Sequence, residues 1–296
     1  MLAVENKRWE WEINNKTSYW GESLRELWSF RHLLASLVRR HFILNYQQTV
    51  LGPVWILFQP IMTLVTYVVV FDKMVGIPTG TLPPVLFYFS GIVLWNFFSD
   101  SFSGTANTFR DNAHLFSKVY FPRLIMPLAA ISTHFIRFLM QLVMLLLFIA
   151  YFWFFKDLRP SFTTWLAAFP LAVVLAGSIG LGLGLFFSVL TAKYRDMSNL
   201  VSLGIRLLMF VTPVIFPLSL VPDNVQWIVK INPLSPLFEL FRLSLLGEGY
   251  VTPWQLLYSV LFMVIVLSGA LLLFNKQGTK LMDVVERRYG RSRNRS

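Results

Sequence analysis

The sequence predicts an all-α, polytopic membrane protein with six transmembrane helices and both termini on the cytoplasmic side. Three observations carry this expectation. The chain is 55% hydrophobic with a mean hydropathy of +0.58, and only 14% of its residues are charged, where a soluble domain carries roughly 25%. Its Asp, Glu, Lys and Arg residues leave six gaps, each able to hold the ~20 apolar residues that cross a bilayer. The Lys and Arg residues also fall mostly on alternate connections, as the positive-inside rule requires.

Residues 1–22 are polar and include Lys7, Arg8 and Lys16. They lack an apolar core, so they are expected to be a cytoplasmic extension and not a cleaved leader. Over 23–44, Phe30, Leu33, Leu34, Leu37 and Val38 recur at helical spacing, while Arg25, Ser29, His32, Ser36, Arg39 and Arg40 take the other face. That pattern predicts an amphipathic helix at the inner headgroups. Residues 45–275 form the membrane domain, with spans expected at about 50–71, 84–104, 124–153, 165–191, 198–217 and 254–274. The second is the least apolar, holding Asn96 with Asp100 and a Ser/Gly/Thr run behind it.

Between spans five and six, Asp223, Lys230, Glu239, Arg242 and Glu248 are too many charges for a free span. Trp227, Ile228, Ile231, Leu237, Phe238 and Phe241 are too apolar for a free loop. Asn232-Pro233 divides the segment, since proline has no N–H to donate and restricts its predecessor. Two re-entrant half-helices in the outer leaflet are expected, covered by protein or a water-filled cavity. Residues 276–296 form a basic cytoplasmic tail. With this topology the inner segments hold 19 Lys plus Arg and the outer segments 5. The net charge of +11 is thereby a topology signal and needs no nucleic acid.

Several chemistries are excluded. There is no cysteine, hence no disulfide framework or thiol nucleophile. No G-x-x-x-x-G-K-[ST] occurs, and Gly177, Gly180, Gly182 and Gly184 lie within a span with no lysine after them. The chain therefore has no phosphate-cradling loop for ATP hydrolysis. Gly180 and Gly184 instead form a small-xxx-small pair suited to close helix packing. His32, His41, His114 and His134 are scattered and match no metal motif. Buried carboxylates of a proton relay are nearly missing. The spans have no energy source of their own.

Four stretches, NYQQTVLGPVWILFQP at 45–60, SKVYFPRLIMP at 117–127, KYRD at 193–196 and the run from 213 to 236 ending in INPLSP, resemble the permease subunit of polysaccharide ABC exporters. This is the ABC-2 type family that moves O-antigen, capsule or teichoic-acid polymers. The likeness covers most of the chain after about residue 24. It implies a homodimer with two copies of an ATP-binding subunit, which binds ATP and Mg; this chain itself would hold no cofactor or metal. It further implies a polyprenyl-pyrophosphate-linked polysaccharide as substrate, contact with membrane lipid, and residence in the bacterial inner membrane. An exporter of small hydrophobic molecules, or a stand-alone channel or secondary transporter, is the alternative.

On this reading Ser117, Lys118, Val119, Tyr120, Phe121 and Pro122 form the segment that docks on the ATPase, with Tyr120 and Phe121 as anchors; the plainer alternative is an ordinary cytoplasmic turn. Sugar rings stack on aromatic planes, which makes Tyr67, Phe71, Phe87, Tyr88, Phe89, Trp95, Phe97 and Phe98 candidates to line a channel, against an ordinary lipid-facing role. Arg39, Arg40, Arg137 and Arg206 are candidates for the carrier's phosphates, against snorkelling to the inner surface. Trp227, Asn232, Pro233, Glu239 and Arg242 are expected at an outer gate, Glu239 and Arg242 lying three apart on one helix face.

Overall fold

A computed structural model describes residues 24–112, 121–156, 167–194 and 196–293, with side chains described between residues 27 and 276 except at position 45. Regular structure among these residues is helical. Two helices, α1 (Leu24–Ser29) and α2 (Arg31–Tyr46), precede the first span. That span starts in a 3₁₀ turn at Gly52–Val54, continues as α3 (Trp55–Tyr67) and ends in a π-helical stretch, Val68–Met74. Then come α4 (Pro84–Ala106), the single turn α5 (Thr108–Asp111), α6 (Ile125–Lys156) and α7 (Phe169–Lys193). The remainder is α8 (Met197–Val211), α9 (Asp223–Ile231), α10 (Ser235–Leu246) and α11 (Pro253–Arg293).

Among the described residues, five helices are long and apolar enough to cross a membrane: Gly52–Met74, α4, α6, α7 and the Pro253–Lys276 part of α11. The fifth expected span, at 198–217, is shorter than the sequence suggested. Helix α8 has 15 residues, ~22 Å at 1.5 Å per residue against a hydrocarbon core of ~30 Å. Its end is set by Pro213. The residue before a proline is pushed out of the helical region, and Thr212 is extended at φ −95°, ψ 139°. The chain goes on as a buried, non-helical stretch from Thr212 to Ile215. Helix α11 continues past its span to Arg293, so the backbone of the basic tail extends the last span.

Helix α4 is the hub, packed chiefly on α6 and α7 and also on α3 and α10. This explains its low hydropathy: 78% of its most apolar window is buried in protein, so its polar residues meet side chains and not lipid. Asn96 donates to Gln141 Oε1 of α6 at 3.3 Å, and Gln141 Nε2 donates to the Ile56 carbonyl of α3 at 3.4 Å. The Gly180/Gly184 pair packs against this hub. A Cβ on Gly180 would lie 3.0 Å from the Phe98 carbonyl oxygen, and one on Gly184 would strike Thr105. Backbone contact this close is what small residues in membrane helices allow.

The amphipathic segment is two helices, broken at Phe30. Leu37 is buried, and Phe30, Leu33, Leu34 and Val38 pack beside it on a cluster of Phe109, Ile125, Met126, Leu185 and Phe274. The apolar stripe of α2 is thus covered by the bundle, mainly α6. Trp28, Ile43 and Leu44 remain exposed.

Candidate functional site

The expected docking segment begins beyond α5. Its residues Ser117, Lys118, Val119 and Tyr120 lie outside the described residues. Phe121 and Pro122 are buried, Phe121 at 8% exposure in the cluster with Leu37 and Phe109. Phe121 is therefore not a surface anchor: its ring holds the end of the segment to the bundle. The other end is tied by polar contacts. Arg110 Nη1 donates to Ser198 Oγ at 2.6 Å, and Ser198 donates to Asn107 Oδ1 at 2.9 Å. The Thr191 hydroxyl donates to the Ala106 carbonyl. The base of the segment is so joined to the end of α7 and the first turn of α8. His41 of α2 hydrogen-bonds Asn112, while burial and then neighbouring Arg40 hold its imidazole below the ordinary value.

The four arginines expected to meet phosphate sit on three helices. Arg39 and Arg40 are exposed on α2 and Arg206 on α8. Arg137 already has an anion: its Nη1 lies 3.9 Å from Asp100 Oδ2, and its guanidinium is 5.5 Å from the Tyr46 ring centroid. His134 Nδ1 lies 3.9 Å from the same carboxylate oxygen.

The aromatics expected to line a channel divide. Tyr67 and Phe71 keep partial exposure. Phe87, Tyr88, Phe89, Trp95, Phe97 and Phe98 are buried within the protomer, because α4 is enclosed on nearly every side. They pack on one another and on α6 and α10, as with Phe97–Phe138 at 5.0 Å and Trp95–Phe238 at 6.3 Å between centroids. In this arrangement those six build the core and not an open surface.

An open aromatic surface does exist, one helix earlier. A groove of about 360 Å³ runs along α3 between Trp55, Phe58, Gln59, Met62, Thr63, Thr66 and Tyr67. Gln59, Thr63 and Thr66 put polar groups on one stripe of a spanning helix. The two threonines donate back to the carbonyls of Gln59 and Met62, which leaves oxygen lone pairs facing out. The signal was in the sequence: these polar residues recur at i, i+4 and i+7 in an otherwise apolar run.

At the opposite end of α4 from α5, α9 and α10 close over the unwound end of α8. Trp227 is exposed on α9. Asn232 is buried at the α9–α10 break, donating to Thr212 Oγ1 at 2.8 Å and accepting from the Leu234 N–H at 3.0 Å. Pro233 makes the break, and α11 supplies its missing donors: Tyr258 OH donates to the Ile231 carbonyl at 2.8 Å and Ser259 Oγ to that of Pro233 at 2.7 Å. Glu239 and Arg242 pair, Nη1 to Oε1 at 3.6 Å, but they are not a solvated face. Arg242 is 1% exposed. Its guanidinium stacks 3.8 Å from the Phe87 centroid, and its Nη2 donates to the Val214 carbonyl at 2.9 Å. Non-helical backbone at such a depth requires this kind of protein cover. No His, Asp and Glu group suited to a metal ion occurs among the described residues.

Residues 32–246 match the family described as ABC-2 type transporter. The chain is 27% identical over 259 residues to the O-antigen export system permease protein RfbA of Klebsiella pneumoniae, covering 86% of this chain and 95% of that protein. It is 30% identical over 223 residues to the protein of the same description from Myxococcus xanthus, covering 74% of this chain and 82% of that one.

Proposed function

The chain belongs to the ABC-2 type transporter family, and from that premise we propose that it is the membrane permease of an ATP-driven exporter. Its cargo on this reading is a lipid-linked, O-antigen-like polysaccharide, carried across the bacterial inner membrane. The carrying observation is the extended similarity to O-antigen export permeases, which covers nearly the full length of the Klebsiella relative. The α3 groove supports the same reading: aromatic planes interleaved with hydroxyl and amide oxygens suit a chain of sugar rings, which needs stacking and exchangeable hydrogen bonds.

Two copies of the chain assemble with two ATP-binding subunits, which bind ATP and Mg. The spans number six, with α8 and its unwound end as the fifth, and both termini are cytoplasmic. Residues 117–122 dock on the ATPase. Helices α9 and α10 re-enter from the outer side and gate the path. Deleting the gene is expected to leave lipid-linked polymer on the cytoplasmic face, detected by its protection from externally added glycosidase in intact spheroplasts. Normal surface polymer in the deletion strain overturns the proposal.

A further inference from the structure

Beside the buried Glu239–Arg242 pair lies a cavity of about 480 Å³, walled by the loop before α4, the Pro217–Ser219 turn, α9, α10 and the 248–255 connection. Ligand pockets run from about 300 to 1,000 Å³, so this one suits a short stretch of glycan. Its charged lining residues are Lys230, Arg242, Glu239 and Glu248, two of each sign. That balance disfavours a phosphate, which would meet two carboxylates, and equally disfavours a cation.

A neutral ligand rich in both donors and acceptors fits better. Arg242 Nε and Nη1 and Glu239 Oε1 are buried without hydrogen-bond partners, and the last two are 3.6 Å apart. The other Glu239 oxygen is already used, accepting from the Tyr250 N–H at 3.2 Å. A vicinal diol presents two neighbouring hydroxyls, one to accept from the guanidinium and one to donate to the carboxylate, both charge-assisted. Gln226 adds an amide to the wall, and Tyr250 stands exposed at the rim, where its ring can cover the apolar face of a pyranose.

We propose that this cavity is a saccharide-binding subsite, which holds a unit of the exported glycan by its vicinal hydroxyls on the α9–α10 side of the membrane. The inference rests on the exporter reading above and adds a place where the emerging chain is held. Its test uses the permease purified with its ATPase in lipid nanodiscs. The probe is O-polysaccharide from the same cells, freed of lipid by mild acid and read by saturation-transfer NMR. Binding is expected, and Tyr250→Ala should weaken it by about five- to tenfold. Ser219→Trp, at the exposed edge of the cavity, should abolish it, each variant being checked for an unaltered size-exclusion profile. Weakened binding by Tyr250→Ala together with loss of binding by Ser219→Trp supports the subsite. No binding by the wild type, or wild-type-level binding by either variant, overturns it. Failure of the exporter reading is seen separately, as normal surface polymer in the deletion strain.

Discussion

Arg110 Nη1 lies 2.6 Å from Ser198 Oγ, tying the turn before the proposed docking segment to the first turn of α8. Ser198 passes the contact to Asn107 at 2.9 Å, so one hydroxyl joins α5, the end of α4 and α8. A hydrogen bond to a charged group contributes about 1.5–3 kcal/mol. If residues 117–122 dock on the ATPase as proposed, Ser198→Ala is expected to loosen the link between that subunit and α8. Export should fall several-fold while the complex still hydrolyses ATP, as measured by surface polymer against phosphate release. An equal fall in both would place the effect in assembly and not in transmission.

The Glu239–Arg242 pair should behave as a coupled unit. Removing one partner of a buried pair costs about 3–5 kcal/mol, whereas replacing both by apolar residues is far milder. Arg242→Met alone should markedly lower the thermal midpoint and yield of the purified permease. The Arg242→Met/Glu239→Leu double variant should recover part of both, offset by the Val214 carbonyl that loses its donor. Additive losses would argue against the pairing.

Asn232 does two jobs with two atoms. Asn232→Ala loses both the bridge to Thr212 and the bond from the Leu234 N–H, at a cost of about 1–3 kcal/mol. Asn232→Asp keeps the acceptor for the Leu234 N–H, loses the amide donor, and places a carboxyl group at a buried position. Both variants are expected to melt below the wild type, and the Asp variant should gain on the Ala variant as the pH is lowered and its buried carboxyl is protonated.

The glycines of the later spans are separable by their neighbours. A side chain at Gly184 meets Thr105 and the Phe102 carbonyl of α4, while one at Gly269 meets nothing within 4 Å. Gly184→Val should abolish accumulation of folded protein. Gly269→Ala should be neutral or slightly stabilising, because alanine favours helix over glycine by ~1 kcal/mol. Fluorescence-detected gel filtration of tagged variants distinguishes the two.

The rough positions of five of the six expected spans were legible, since charge-free gaps report the cost of burying ions in lipid. The length of α8 was less so: counting apolar residues carried its span to 217, and Pro213 stopped the helix six residues sooner. The roles of the α4 aromatics were not legible at all. Phe87, Tyr88, Phe89, Trp95, Phe97 and Phe98 point around the whole circumference of the helix, so no periodicity separates an inner from an outer face. Only the neighbours of α4 decide that. Arg242 shows the same limit, because its spacing from Glu239 announces a pair but not that Phe87 and the Val214 carbonyl enclose it. The α3 stripe was readable from Gln59, Thr63 and Thr66, yet it is quieter than the many aromatics elsewhere.

The break between α9 and α10 closes its carbonyls with hydroxyls borrowed from α11, Tyr258 to Ile231 and Ser259 to Pro233. A bond to a hydroxyl can be traded for one to water at little net cost, whereas a stretch of helical ladder must break as a block. The joint is therefore held by two separate side-chain bonds and not by a continuous helical ladder. If α9 and α10 gate the path as proposed, such a joint would let the rim adjust to a bulky polymer without melting any span.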